Sequence, residues 1–272
     1  MTFIRNERED MQEDMNKIIS EILHKYCEIR NIDKLPEISV EIVEDLYSVC
    51  VQKSADVVKR DLESQKEWMQ TLNGTIVYPE CCTDPFGILI KKSYIEECIS
   101  NNNCNWIGTL CHELTHIIDY VSAMNLTGKI QLVDFKNERY YQMFVYWTEY
   151  NARRHGHYLL RYYTHGDLLR SPMILNDLVN REMPYQIQYL VSNFEEGKSP
   201  FDAVYSTMQF LGRLKVWKGL FPDYFNETAL NQVLGDNGWM EELFSYLDEN
   251  DTIEKAISTF DVMENILRNY FD

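Results

Sequence analysis

His112-Glu113-Leu114-Thr115-His116 is an HExxH segment. Histidines four residues apart lie one turn apart on the same face of a helix, so two imidazoles can reach one ion. Glu113 projects about 100° further round the helix and flanks such an ion rather than binding it. From there it can take a proton from an activated water. The bare pattern is only moderately specific, and its surroundings sharpen it. Leu110, Leu114, Ile117, Ile118 and Val121 fall on the face opposite the histidines, which gives the helix an apolar back. No Pro or Gly interrupts Thr109 to Val121. The plainer reading, a helix whose histidines simply pair with carboxylates, carries less weight.

A catalytic zinc site takes a third protein ligand and leaves the fourth position open. No HxxGxxH continuation follows His116. Glu149 lies thirty-three residues further on, in Trp147-Thr148-Glu149-Tyr150-Asn151-Ala152-Arg153. That gap lets one helix end, a loop turn and a second helix return alongside. Ala152 and Gly156 share the face of Glu149, and small residues there allow close approach. Asp119, Glu138, His155, His157 and His165 are rival third ligands. Asp119 shares the face of both histidines and reads best as a carboxylate that orients one of them. Tyr150, His155, His157, Tyr162, Tyr163 and His165 are candidate oxyanion donors. Arg153 and Arg154 are candidates for pairing with a substrate carboxylate.

The HExxH helix followed by a helix carrying Glu149-Tyr150-Asn151-Ala152 resembles the zincin metallopeptidases of the gluzincin type. The order of strand Gly87 to Lys91, helix, HExxH helix and Glu-bearing helix is similar to their minimal core, over about residues 35–165. The resemblance implies Zn2+ held by His112, His116 and Glu149, with Glu113 as general base and later acid. Accessory roles are expected of Asp119, Tyr150, Arg153 and His157. One residue departs from the pattern: Arg153 stands where many gluzincins have an acidic residue one turn after the ligand Glu. The implied activity is that of a zinc-dependent metallohydrolase cleaving peptide bonds in a peptide or protein substrate. The alternative is a zincin-fold regulatory or interaction protein without peptidase activity.

The elements that must position these residues follow from periodicity. Residues 7–30 read as an amphipathic helix, with Met11, Met15, Ile18, Ile19, Ile22 and Tyr26 at helical spacing. Ile38 to Val43 alternates like a strand, and residues 53–72 read as one helix. Asn73-Gly74 is a turn, Thr75 to Tyr78 a short strand, and Gly87 to Lys91 a strand that offers an open edge to an extended peptide. Ser93 is expected to cap a helix over Tyr94 to Ile99, and Asn103 or Asn105 to cap one from Trp106 to Ala123. A long helical pattern covers Phe135 to Tyr163. Helices are then expected near 173–195, 201–219, 227–235, 239–249 and 252–270. The expected fold class is α+β: a zincin-like core, with a small mixed sheet packed on the HExxH helix and the Glu-bearing helix, and a mostly helical C-terminal part. The expected division is 1–165 and 166–272.

The 272 residues carry a net charge of −17, which argues against nucleic acid or an anionic membrane as partner. A 45% apolar and 13% aromatic composition excludes a disordered chain. No apolar run reaches the ~18 residues of a membrane span. Met1 to Asn16 lacks the features of a secretory signal. Seven cysteines, without a CxxC pair, read as reduced thiols. A cytoplasmic enzyme is therefore expected, with its oligomeric state left open.

Overall fold

The computed structural model describes residues 7–194, 199–235 and 238–271. Residues 1–6 of the expected N-terminal segment and residue 195 of the helix expected over 173–195 lie outside the described residues. The chain divides into two compact units, Met1–Pro36 and Glu37–Asp272. The first is built on α1 (Glu7–Arg30). The second holds every residue singled out for chemistry.

The second unit begins with β1 (Ile38–Val43), followed by α2 (Leu46–Lys53), α3 (Asp56–Ser64) and α4 (Lys66–Thr71). The single helix expected over 53–72 is thus broken into short pieces. Lys53 belongs to α2. Ser54 and Ala55 take extended backbone angles, with the Ala55 amide donating to the Tyr78 carbonyl at 2.8 Å, and Gln65 (φ −106°, ψ 16°) parts α3 from α4. Then come β2 (Gly74–Val77), β3 (Phe86–Lys91) and α5 (Lys92–Ser100). β3 runs straight into α5, so Lys91 rather than Ser93 occupies the cap position, and no side chain caps it.

The sheet has the order β1-β3-β2. β1 pairs parallel with β3, Ile38 opposite Phe86 and Val43 opposite Lys91. β2 pairs antiparallel with it, Gly74 opposite Ile90 and Val77 opposite Gly87. β3 is therefore the central strand. Its run Phe86 to Ile90 is wholly buried, as a strand covered on both faces requires. The open edge expected at Gly87 to Lys91 does not exist, and β2 occupies an outer position instead.

Next along the chain are α6 (Asn105–Thr127), α7 (Leu132–Lys136) and α8 (Tyr141–His165). Asn105 is the first helical residue of α6, and its amide donates to the Asn103 side chain at 3.1 Å. The long helix expected from Phe135 is interrupted before Tyr141, where turn bonds replace the helical ladder. The interruption lets Phe135 turn inward. Its ring meets those of Tyr120 and Phe144 at 5.9 and 5.0 Å, edge to face. Burying each such ring contributes about 1.5–3 kcal/mol, so the cluster ties the α7 turn to both flanking helices.

After a 3-10 turn at Gly166–Leu168 follow α9 (Pro172–Asp177), a π-helical turn at Leu178–Glu182, α10 (Met183–Ser192), α11 (Pro200–Leu220), α12 (Glu227–Leu234), α13 (Gly238–Glu249), α14 (Ile253–Ile257) and α15 (Phe260–Phe271). Thr259 splits the helix expected over 252–270, its hydroxyl donating to the Asn250 side chain at 3.1 Å. α6 lies between the sheet and α8, and α8 packs along α11. α14 and α15 return onto α6 and α8. The expected division at residue 165 thus runs through closely packed helix pairs. Among the described residues no helix is long and apolar enough to cross a membrane, and all seven cysteines are free thiols.

Candidate metal centre

α6 and α8 meet through glycines. A Cβ added to Gly156 would lie 2.6 Å from the Gly108 carbonyl oxygen and 3.1 Å from His112 Cβ. Only a residue without a side chain allows that crossing. It brings Glu149, two turns earlier on α8, against the histidines of α6. His112 Nε2 and His116 Nε2 are 3.1 Å apart. Glu149 Oε2 lies 3.6 Å from the first and 3.4 Å from the second. These three residues form the one group among the described residues whose donor atoms converge within 4.8 Å as metal ligands do. Glu149 is only 1% exposed.

Two imidazole nitrogens, one buried and one half-buried, and a buried carboxylate oxygen converging on one point suit a divalent cation. The surrounding bonds prepare them for it. The Thr148 hydroxyl donates to Asp119 Oδ2 at 2.8 Å. Its oxygen must therefore accept from His116 Nδ1, 3.0 Å away. That bond places the proton on Nδ1 and leaves the Nε2 lone pair facing the donor cluster. Asp119 is itself held by the Asn151 amide at 2.9 and 3.0 Å. Asp119 thus acts on His116 through Thr148 rather than directly. Replacing Asp119 by Ala is expected to weaken metal binding about 10–100-fold, measured by chelator competition. Binding at full strength would show that this chain of bonds does not orient the histidine.

Electrostatics follow from burial and proximity. Burial disfavours charge on Glu149, but the imidazoles and Arg153 outweigh it and hold the carboxyl well below its usual range. Burial also opposes charge on His116, yet the hydrogen bond and charge of Glu149 prevail and raise it. For His112 burial dominates and pushes it well down. Tyr205 of α11 donates its hydroxyl to Glu149 Oε2 at 2.6 Å, and Arg153 Nη2 lies 3.5 Å from Glu149 Oε1. Glu113 stands beside the cluster, where burial lifts its carboxyl to about 7 against the pull of His116. The tight packing of Gly74 on Thr109, with Glu113 Cγ 3.6 Å from where a Cβ would stand, sets that carboxylate next to β2.

All three donors and Glu113 line a cleft of about 1110 Å³. Its lining also includes Gly74, Thr75 and Ile76 of β2, Tyr189 of α10, and Tyr205 and Gln209 of α11. The other expected site residues lie elsewhere. Tyr150 is fully buried, and its hydroxyl has no hydrogen-bond partner among the described residues. His157 accepts from the Trp217 indole at 3.1 Å and sits 3.3 Å from Glu182. His165 pairs with Arg161, Glu138 with Lys129, and the rings of Tyr162 and Tyr163 pack together. Neither these residues nor His155 lines the cleft. Thr148, Asn151 and Tyr205 were not legible as site residues. Thr148 and Asn151 at least flank Glu149 on one helix, whereas no local signal marks Tyr205.

No protein-family model, curated protein or solved structure matches this chain, so what the site does is argued from its own geometry.

Proposed function

We propose that this protein is a zinc-dependent metallohydrolase that cleaves peptide bonds. The observation carrying the reading is the convergence of His112, His116 and Glu149 on one point, with a fourth, half-buried group, Glu113, beside them in an open cleft. A structural zinc site is usually closed by four protein ligands, whereas three protein ligands leave room for substrate. A zinc ion bound there supplies a Lewis acid that polarises a carbonyl and eases deprotonation of water.

The chain's own residues do the rest. His112, His116 and Glu149 hold the ion, and the Asp119–Thr148 bonds keep His116 in the binding tautomer. Glu113 takes a proton from the attacking water on its carboxylate and delivers it to the leaving nitrogen. A half-buried carboxyl near neutrality suits both halves of that transfer. β2 is an outer strand whose residues face the cleft, so an extended peptide can add to it by main-chain hydrogen bonds. Tyr205, donating to Glu149, fixes the ligand carboxylate from α11.

Metal analysis tests the reading. Protein purified from zinc-replete medium is expected to hold about one zinc per chain, to lose it in His116→Ala, and to digest a random peptide pool until chelator is added. Zinc retention with no cleavage would favour a metal-holding interaction protein. A wild type without bound metal would overturn both.

A further inference from the structure

One end of the cleft, beside the metal ligands, abuts a pair of arginines that are not themselves metal ligands. Tyr205, Gln209 and Arg213 follow one another at four-residue intervals on α11, and the first two line the cleft. Arg213 Nη1 donates to the Gln209 carbonyl at 3.3 Å, which folds its guanidinium back along the helix toward that end. α11 crosses α8 at Gly212, where an added Cβ would stand 2.9 Å from Arg153 Cβ. The two arginines therefore spring from adjoining points on facing helices. Arg153 lines the cleft itself, and its buried Nε has no partner among the described residues.

Charge is out of balance here. Glu149 lies 3.5 Å from Arg153 Nη2 and already serves two imidazoles and Tyr205, while Glu113, which also feels the charge of Arg153, makes no ion pair with either arginine among the described residues. Asp202, a further acid in the cleft lining, is taken up by Ser199 in the capping box of α11. Burial, and then the neighbouring Arg153, push Arg213 down to about 9. A chain of net charge −17 thus keeps Arg153 in the cleft lining with an unpartnered Nε, and Arg213, which has no carboxylate partner among the described residues, behind it.

We infer that Arg153 and Arg213 form an anion subsite that takes a carboxylate of the substrate, beside the metal ligands. Planar guanidiniums bind carboxylates through paired hydrogen bonds, and exclusion of water strengthens them. The inference rests on the peptidase reading and narrows its substrate class to peptides that bring a carboxylate to this end: the C-terminal group or an Asp or Glu side chain.

The test uses the zinc-loaded full chain and one hexapeptide pool in three forms: free acid, C-terminal amide, and amide ending in Glu. The wild type is expected to cleave a carboxylate-bearing form about tenfold or more faster, as kcat/KM, than the plain amide. That ratio is expected to fall toward one in Arg213→Gln and to survive in part in Arg213→Lys, which keeps the charge in the same packing. Preference for the free acid identifies the terminal carboxylate, and equal use of the Glu-ended amide identifies the side chain; both support the subsite. Equal rates on all three forms, or a ratio unchanged in Arg213→Gln, overturns it. If no pool is cleaved, the peptidase reading falls separately, and calorimetry with 3-phenylpropionate and its amide decides. Acid-selective binding that is lost in Arg213→Gln supports the subsite, and binding without selectivity, or unaffected by the substitution, overturns it.

Discussion

Replacing Glu113 by Gln is expected to lower kcat on peptides by about 10²–10⁴-fold while zinc content stays at the wild-type level. The substitution keeps the shape of a residue wedged between β2 and the donor cluster. Glu113 is not among the three converging donors, so the ion has no reason to leave. What is lost is proton acceptance: a carboxyl lifted to about 7 can take and return a proton near neutrality, and an amide cannot. KM should change far less than kcat, because the group acts on the transition state. His116→Ala is the contrast, since it removes a ligand and loses ion and activity together. Metal analysis and steady-state kinetics on the same preparations separate the cases. A Glu113→Gln protein that turns over like the wild type would remove the general base from the scheme.

Gly156→Ala is expected to damage both stability and metal binding from outside the donor set. The added methyl would stand 2.6 Å from the Gly108 carbonyl oxygen, a backbone atom that cannot rotate away, and 3.1 Å from His112 Cβ. α8 must then move off α6. Overpacking of this kind costs about 1–3 kcal/mol, and thermal unfolding reads it. The same displacement carries Glu149 away from His112 and His116, so zinc affinity should fall by about tenfold or more. Gly219→Ala on α11 is the control, because its added methyl meets nothing. There the gain in helix propensity should stabilise the protein by about 0.5–1 kcal/mol. Equal stability and zinc affinity in Gly156→Ala and the wild type would mean that the helix crossing tolerates a side chain and does not set the site.

Regular elements were legible where local periodicity alone decides them. α6 carries its apolar and histidine faces as the spacing of Leu110, Leu114 and Ile117 requires, all three fully buried. β1, β2 and β3 fall close to where alternation and turn residues put them. The failures share a cause. The late start of α3 and the break after Lys136 arise because backbone groups or rings find partners far along the chain: Tyr78 for Ala55, Tyr120 for Phe135. The expected open edge at β3 failed because strand order is set by long-range pairing, which no six-residue pattern encodes.

Within the site the same line can be drawn residue by residue. The pairing of His112 with His116, and the place of Glu113 beside them, belong to the sequence itself, because one helical turn fixes them whatever surrounds the helix. The small residues Ala152 and Gly156 likewise announced a close approach. That Glu149, rather than any of its five acidic or histidine rivals, joins the histidines was decided by the glycine crossing of α6 and α8. The Asp119–Thr148 link to His116, the hydroxyl of Tyr205 on Glu149 and the meeting of Arg153 with the α11 stripe were decided only by the packing of helices remote in sequence. Spacing along one helix is a local geometric constant, whereas which face meets which depends on the whole buried surface.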